Sequence, residues 1–378
     1  MSLQFVFGPS GGGKSYYLYE KIIEEAKKDR TKDFLLIVPE QFTMQTQKEL
    51  VERSKNHAIM NIDVLSFERL AFRVFDELGM YQIRILEETG KNLILRRLTE
   101  EYGDSMSVLG SNLKKMGYVS EIKSLISEFM QYQITPKDIE AWCEDEDNAW
   151  SFRLKMKDIL VIYRKFLEYL EGSYITSEEV LEECAKTAGR SVMLKDCNLI
   201  FDGFTGFTPI QRKVLEKLLK IGKNVYVGLT LDGRYVRSQY REYELFAMSK
   251  KEKYELIKLA QDAGTPVMPD IICWPDERDS KELRHLEQNI ERYPYEIYKD
   301  EPEDIKIRCF MNPRQESRTV ANEIERFVRE EGYRYKDIVV LTADLDSYQN
   351  ELEKSFDDLH IPYFVDVNRK LLNNPCIE

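Results

Sequence analysis

Short, wholly apolar runs alternate with amphipathic stretches over the first eighty or so residues. Phe5-Val6-Phe7 precedes a helical stretch from Tyr16 to Lys28, and Phe34-Leu35-Leu36-Ile37-Val38, ending at Pro39, precedes a helical pattern from Gln41 to Ser54. Ala58 to Leu65 reads as a third strand and leads into the helix Phe67 to Leu78. Brief apolar runs bounded by turn residues suit parallel strands buried on both faces. Ser66, with Glu68 and Arg69 in the turn that follows, is placed to cap that helix. From about Ile83 to Gly189 the strand signal vanishes. Amphipathic stretches run over Leu86 to Tyr102, Val119 to Tyr132, Trp150 to Leu170 and Ser177 to Ala188, with apolar residues three and four apart, as in Ile159, Ile162, Tyr163, Phe166 and Tyr169. This predicts an all-helical insertion, too long for a loop, with the acidic stretch Glu144 to Asp147 as a solvated turn.

The alternation then returns. Asn198-Leu199-Ile200-Phe201 and Asn224 to Leu229 read as strands around the helix Pro209 to Leu219, and Glu242 to Asp262 is helical in pattern. Ile272 to Ser280, with its prolines and charges, reads as surface. A further α/β segment starts with the strand Asp304 to Phe310. It continues through helix Gln315 to Glu331, strand Asp337 to Leu341, helix Ser347 to Leu359 and strand Tyr363-Phe364-Val365. It has few strands for a sheet of its own, so the expectation is a piece of a larger polypeptide. The fold class is therefore α/β: a parallel-sheet domain with an all-helical insertion, and the beginning of a second α/β domain.

Composition narrows the classes. The 378 residues leave room for two or three domains, and 43% hydrophobic with 32% charged residues marks a globular chain. No apolar run reaches the length of a membrane span, and a first strand at the very N-terminus leaves no room for a signal peptide. The six cysteines form no C-x-x-C pair, which points to reduced, buried thiols and a cytoplasmic location. Three separated histidines disfavour a metal site built on imidazole. A net charge of −12 excludes a broad cationic DNA-binding face. Any contact with nucleic acid must be local, in a groove, with stacking carrying much of the affinity.

The candidate chemistry lies directly after the first strand. Gly8-Pro9-Ser10-Gly11-Gly12-Gly13-Lys14-Ser15 matches G-x-x-x-x-G-K-[ST] in full. In this pattern a glycine-rich turn directs backbone N–H groups and a helix N-terminus at phosphate. Lys14 reaches the β- and γ-phosphates, and the Ser15 hydroxyl holds Mg²⁺. Gly8, Ser10, Gly11, Gly12, Gly13, Lys14 and Ser15 are thus expected to bind a nucleotide such as ATP. A second Mg²⁺ carboxylate belongs at the end of a neighbouring strand, and Asp202, closing Leu199-Ile200-Phe201-Asp202, has that position. Asp202-Gly203 also reads as an ordinary turn. Hydrolytic sites carry a water-activating glutamate after this aspartate. Here Gly203 follows, and loss of a general base lowers rates by roughly 10²–10⁴-fold. Glu40, also after a strand, is the best substitute base. Pro39 to Thr43, Ser66 to Arg69 and Phe204 to Phe207 all follow strands, at the edge where open parallel sheets bind ligands. Their aromatic rings and amides can stack on and hydrogen-bond single-stranded bases. Each ring taken singly also reads as core.

Together these motifs resemble one family. V-P-E-Q-F-T (Val38 to Thr43), L-S-F-E-R-L-A-F-R-V (Leu65 to Val74), F-D-G-F-T-G-F-T-P (Phe201 to Pro209), G-Y-R-Y-K-D-I-V-V-L (Gly332 to Leu341) and I-P-Y-F-V-D (Ile361 to Asp366) follow the phosphate loop in order. Along essentially its whole length the chain resembles the N-terminal part of AddB (RexB), the B subunit of the bacterial ATP-dependent helicase–nuclease that resects double-strand breaks in DNA repair and recombination.

That resemblance implies a relative of UvrD-type superfamily 1 helicases. Residues 1–80 and 190–290 would form a RecA-like ATP-binding domain, 81–189 its helical insertion, and 300–378 the start of a second RecA-like domain. Asp202 and Gln211 match the family's D-E-x-Q-D-x-x-x-x-Q pattern, whereas its glutamate and second aspartate have no counterpart. Val227 to Asp232 lack the polar sensor residues, the expected arginine falls near Thr342 or Ala343, and no adenine-reading glutamine segment fits upstream of the loop. The resemblance thus implies a degenerate motor that keeps ATP and Mg²⁺ but scans single-stranded DNA for the Chi hotspot. Gln41, Thr43, Phe67, Arg69, Phe72, Phe204 and Phe207 would line the strand channel. The implied partners are single- and double-stranded DNA and an AddA-type subunit in a heterodimer. An iron–sulfur cluster is implied only in a downstream nuclease domain. Two other readings stay open. One is an active DNA-stimulated ATPase motor. The other is a P-loop kinase for a small metabolite, with Arg96 and Arg97 as lid arginines.

Overall fold

A computed structural model describes residues 2–80, 84–103, 106–110, 116–171, 174–274 and 280–365. The chain divides into two compact units, Met1–Ile297 and Tyr298–Glu378. In the first, β1 (Ser2–Gly8) leads through the glycine-rich loop into α1 (Lys14–Lys28). Next come β2 (Phe34–Ile37), α2 (Thr43–Arg53), β3 (Ile62–Leu65) and α3 (Phe67–Glu77). The middle of the unit holds β4 (Ile85–Leu86), α4 (Glu88–Tyr102), α5 (Met116–Gln131), α6 (Pro136–Glu144) and α7 (Trp150–Leu170). The chain then returns through β5 (Ile175–Thr176), α8 (Ser177–Thr187), β6 (Asn198–Phe201), α9 (Pro209–Ile221) and β7 (Asn224–Thr230). The unit ends with α10 (Ala247–Asp262), β8 (Ile271–Ile272) and α11 (Lys281–Asn289).

Six of these strands form one parallel sheet in the order β3-β2-β6-β7-β1-β8. Strand alternation divides its side chains between two cores. Val6, Leu36 and Ile200 pack with Leu18, Ile22 and Ile23 of α1. Phe5, Phe7, Leu35, Ile37, Leu199 and Phe201 face α3, α8, α9 and α10 through Leu70, Val74, Val180, Val214, Leu218 and Leu256. The sheet is buried on both sides, which explains why its strands read as continuous apolar runs. A separate core, including Leu95, Ile126, Phe129, Ile162, Tyr163 and Phe166, holds α4 to α7 together. Burial pushes the Tyr163 hydroxyl up to about 12, and it donates to Ile134 O at 3.1 Å.

Several boundaries depart from the sequence reading. The third strand covers only Ile62–Leu65, because its partner β2 is four residues long and offers no ladder further out. The insertion is not free of strand: β4 and β5 pair in parallel at Ile85↔Ile175 and Leu86↔Thr176. Two-residue ladders carry no periodicity to read. Helix α6, absent from the sequence reading, starts with the capping box Thr135–Asp138 and Pro136 at its first position. Ile272, where the stretch expected as surface begins, belongs with Ile271 to an edge strand beside Val6 and Phe7; 275–279 of that stretch lie outside the described residues, as does 81–83 at the start of the expected insertion. Among the described residues no helix is long and apolar enough to cross a membrane.

The second unit contains α12 (Pro313–Glu330) and α13 (Leu345–Asp358), joined by a core of Ala321, Ile324, Leu352, Phe356 and Ile361. The strands expected at Asp304–Phe310, Asp337–Leu341 and Tyr363–Val365 form no ladder among the described residues. Ile338 has extended dihedrals (φ −114°, ψ 134°), yet Ile307, Val339, Leu341 and Phe364 are largely exposed. An extended segment becomes a strand only when another backbone meets its N–H and C=O groups. Residues 366–378, including Cys376 and the end of the I-P-Y-F-V-D motif, lie outside the described residues.

Candidate functional site

The phosphate loop is shaped by its glycines. Gly11 and Gly13 have φ of 70° and 77°, the left-handed region that other residues occupy only with strain. A Cβ on Gly12 would lie 2.8 Å from Pro9 Cδ, and Gly12 N donates to Pro9 O at 3.1 Å. Gly13 is the N-cap of α1, with no side chain satisfying the helix terminus and no acidic residue in its first turn. The N-terminal N–H groups and the positive end of the helix dipole are thus available to an anion. Lys14 folds back, its Nζ donating to Pro9 O at 2.8 Å. Burial pulls the Lys14 pKa down, against the opposing pull of Asp202, Cys273 and Glu287. Ser10 is exposed, and Ser15 is half-buried in the first turn of α1.

Asp202 follows β6, separated from β1 by β7. It is 4% exposed, and its N–H donates to Ile37 O at 3.1 Å. On β7, Gly228 clears space for it: a Cβ there would lie 2.9 Å from Asp202 Oδ1. Tyr19 of α1 hydrogen-bonds Asp202 and Thr46, and burial together with the Asp202 charge holds the phenol well above its usual range. Asp202 therefore points under α1, within Coulombic reach of Lys14. A carboxylate and a hydroxyl beside a helix N-terminus are hard oxygen donors of the kind Mg²⁺ takes alongside phosphate oxygens. Gly203, at the position of the missing base, has φ of 78°. The turn itself thus favours glycine there, which explains its presence independently of chemistry.

Gln211 is engaged elsewhere. Its Oε1 accepts from Thr208 N at 2.9 Å, and its N–H meets Thr208 Oγ1, a capping box that starts α9. It lines a cavity of about 280 Å³ together with Pro39, Glu40, Phe67, Glu68 and Phe204. This cavity gathers the ends of three strands, as an open parallel sheet does. The opposite wall comes from the insertion, through Gln131, Ser177 and Glu178, residues that nothing in the sequence had marked. The cavity is acidic. Burial raises the Glu68 carboxyl, and Glu40 and Glu178 add to the effect.

The other channel candidates are placed variously. Gln41 is exposed. Thr43 is buried, its hydroxyl donating to Glu40 O at 2.9 Å. Arg69 is exposed and pairs with Glu40 at 2.9 Å. Glu40, the substitute base of the motor reading, is thus held in an ion pair at this cavity. Phe67 and Phe207 are each 5% exposed and pack with Phe201 and Phe204, ring centroids 5.0–6.4 Å apart. Phe72 is half-buried, edge-on to Phe75. The loop bearing Phe204 and Phe207 is tied down by Glu252 of α10, which accepts from Phe207 N at 3.2 Å and Arg212 Nη2 at 2.7 Å. Glu252 is buried, and its pattern gave no sign of this role. Arg96 pairs with Glu100 on an exposed helix face, the solvated arrangement of an ordinary i,i+4 pair.

Comparison with known proteins agrees with this architecture. Residues 5–287 match the family described as ADDB, N-terminal, and residues 281–377 match the UvrD-like helicase C-terminal domain. The chain is 40% identical over its full length to a protein of Lachnoclostridium phytofermentans named as the B subunit of an ATP-dependent helicase/deoxyribonuclease, covering 34% of it. Proteins given the same name in Alkaliphilus metalliredigens and Clostridium novyi are 32% and 33% identical, again over the full chain and 33% of each relative. The chain spans about a third of the length of these relatives. With its parallel sheet, its phosphate loop and a family match over most of its length, the chain belongs to the AddB N-terminal family.

Proposed function

We propose that this chain is the helicase-like part of a helicase–nuclease B subunit that holds ATP–Mg²⁺ and single-stranded DNA without turning the nucleotide over. One observation carries the reading. The phosphate loop and Asp202 form a cradle that suits a triphosphate, while the next position is a glycine in a left-handed turn. Residues 1–80 with 190–290 act as the RecA-like nucleotide domain, 81–189 as its insertion, and 300–378 as the start of a second such domain. Lys14 leaves the Pro9 carbonyl for the β- and γ-phosphates, and the N–H groups of Gly11 to Ser15 bind the remaining oxygens. Ser15 and Asp202 would hold Mg²⁺, which neutralises phosphate charge. The position after Asp202, where hydrolytic sites carry the water-activating carboxylate, is Gly203, so in this reading the bound triphosphate serves as a fixed ligand that orders the domain.

Single-stranded DNA runs along the carboxyl edge of the sheet. Bases enter the acidic cavity with Phe204 as the half-exposed ring, and Arg69 meets the backbone outside it. An acidic wall repels phosphates but accepts hydrogen bonds from base amino groups, consistent with strand reading despite a net charge of −12. Chi scanning within a DNA-repair complex, an AddA-type partner driving translocation, and a cytoplasmic location follow from the family role.

The test is equilibrium binding of MgATP combined with steady-state turnover on single-stranded DNA. The expected result is binding with no DNA-stimulated hydrolysis. Robust turnover that requires Lys14 would replace the scaffold with an active motor. For the strand path, Arg69→Ala and Phe204→Leu are each expected to weaken oligonucleotide binding by about three- to tenfold while leaving MgATP affinity unchanged, measured by fluorescence anisotropy. Unaltered oligonucleotide affinity in both would remove this edge from the path. Phe67→Ala is a poorer probe, since Phe67 belongs to the core.

A further inference from the structure

We infer that Tyr19 is a positioning residue that ties the Mg²⁺ carboxylate, Asp202, to helix α2 and thereby to the strand-binding edge, an assignment that rests on the nucleotide reading above. Tyr19 stands four residues after Ser15 on α1, so the two hydroxyls share one face of the helix, one turn apart. The helix meets Asp202 over Gly228, where a Cβ would lie 2.9 Å from Asp202 Oδ1 and 3.1 Å from Leu18 Cδ1. Tyr19 hydrogen-bonds both Asp202 and Thr46, and Thr46 lies in the first turn of α2. Proton count sets the direction of the two bonds. A carboxylate only accepts, so the single phenolic proton goes to Asp202, and the Thr46 hydroxyl donates to Tyr19. Tyr19, Thr46 and Asp202 are each at most 5% exposed, which makes either bond costly to lose.

The far end of this relay reaches the strand path. Helix α2 grows out of the turn Glu40–Phe42. Phe42 N donates to Pro39 O and the Thr43 hydroxyl to Glu40 O, both at 2.9 Å. Pro39 and Glu40 line the cavity together with Phe204, which stands two residues beyond Asp202. A Cβ on Gly203 would lie 3.4 Å from Pro39 Cδ and 3.9 Å from Phe42 Cδ2, so the chain leaving Asp202 runs beside the turn that starts α2. A carboxylate that holds Mg²⁺ keeps one orientation. It thereby fixes the Tyr19 hydroxyl and, through Thr46, the start of α2. A base held in the cavity orders the same turn from its other side. Each ligand finds part of this ordering already done by the other, so the two bind with positive cooperativity.

The experiment measures ATP affinity with and without Mg²⁺, and oligonucleotide affinity with and without MgATP, on the full chain. Tyr19→Phe keeps the ring in the core beneath α1 and removes the hydroxyl. It is expected to cut the advantage of MgATP over metal-free ATP by about tenfold, the cost of losing an outer partner of a metal ligand. Metal-free ATP binds as in the parent. In the parent, MgATP is expected to tighten oligonucleotide binding about fivefold and to slow amide exchange along α2. Thr46→Val keeps the MgATP advantage and loses both of these effects. An unchanged metal advantage in Tyr19→Phe, or an equal loss for MgATP and metal-free ATP, overturns the positioning role and leaves the nucleotide site standing. So does a parent whose oligonucleotide affinity ignores MgATP, or a Thr46→Val variant that responds as the parent does. A parent that binds ATP no better with Mg²⁺ than without it takes down the Asp202 metal reading and the relay together.

Discussion

Lys14→Ala is expected to weaken MgATP binding by about ten- to a hundredfold, the equivalent of one lost hydrogen bond to a charged group, about 1.5–3 kcal/mol. The lysine is not needed to hold the loop in shape. Its ammonium donates to the Pro9 carbonyl, and the loop's path is set by Gly11, Gly12 and Gly13. Burial lowers the Lys14 pKa below its ordinary 10.5. The charge therefore opposes folding at neutral pH, and this opposition fades as pH rises through the lowered value. Lys14→Ala should then leave the melting temperature unchanged or slightly raised, separating lost ligand contact from damage to the fold. Bound phosphates act in the reverse direction and favour the charged form. MgATP affinity should consequently fall as pH rises through the lowered Lys14 value, and this dependence should vanish in Lys14→Ala. Calorimetric titration at several alkaline pH values, with the melting temperature followed in parallel, checks both. An affinity insensitive to Lys14 would place the nucleotide elsewhere.

Lys91→Ala is expected to destabilise the first unit by about 3–5 kcal/mol, the range for breaking a buried ion pair. Lys91 is 1% exposed. Its Nζ lies 2.7 Å from Glu178 Oε2, 2.9 Å from Glu88 Oε1 and 3.2 Å from Ser177 Oγ. One ammonium thereby joins α4 to α8, and Ser127 of α5 lies 3.5 Å away. Removing it leaves Glu178, itself only 14% exposed at the side chain, without its cation. Glu88 fares better, being exposed and bonded to Lys123 at 2.6 Å. The cost should therefore be carried by Glu178. In a double variant, Lys91→Met with Glu178→Leu should recover most of the loss, because an apolar pair of similar volume leaves no charge buried. Urea unfolding followed by circular dichroism measures this. A loss under about 1 kcal/mol for Lys91→Ala would show that water reaches the cluster. Glu178 also forms part of the cavity wall, so the same ammonium that holds the insertion together fixes one side of the strand path.

Gln211 shows how a local signature and a family pattern can compete for one residue. The family pattern assigns it to the nucleotide. Thr208-x-x-Gln211 is also a helix-start signature, and in the folded chain its amide oxygen is taken by the Thr208 N–H. Phe67 and Phe207 carry a similar lesson. Their position after strands is that of ligand-facing residues, yet their rings close a core cluster with Phe201, and Phe204 is left as the half-exposed member.

What the amino-acid order alone determined are features whose causes lie within a few consecutive residues. The phosphate loop is one, because its glycines and Lys14 act through their own backbone and the adjoining helix. The buried strands of the main sheet, the Ser66 cap and the long helices of the insertion are others, since period and capping are local. Only the tertiary structure decided what depends on a partner distant in sequence. β8 exists because β1 offers it an edge, while the extended segments of the second unit meet no such edge among the described residues. Gln131 and Glu178 face Phe67 and Phe204 across a cavity because the insertion packs back onto the sheet. Cys273 stands beside Gly8 because a parallel edge strand carries it there. Backbone hydrogen bonds and side-chain packing join residues without regard to their separation along the chain, and no periodic pattern records which distant pairs will meet.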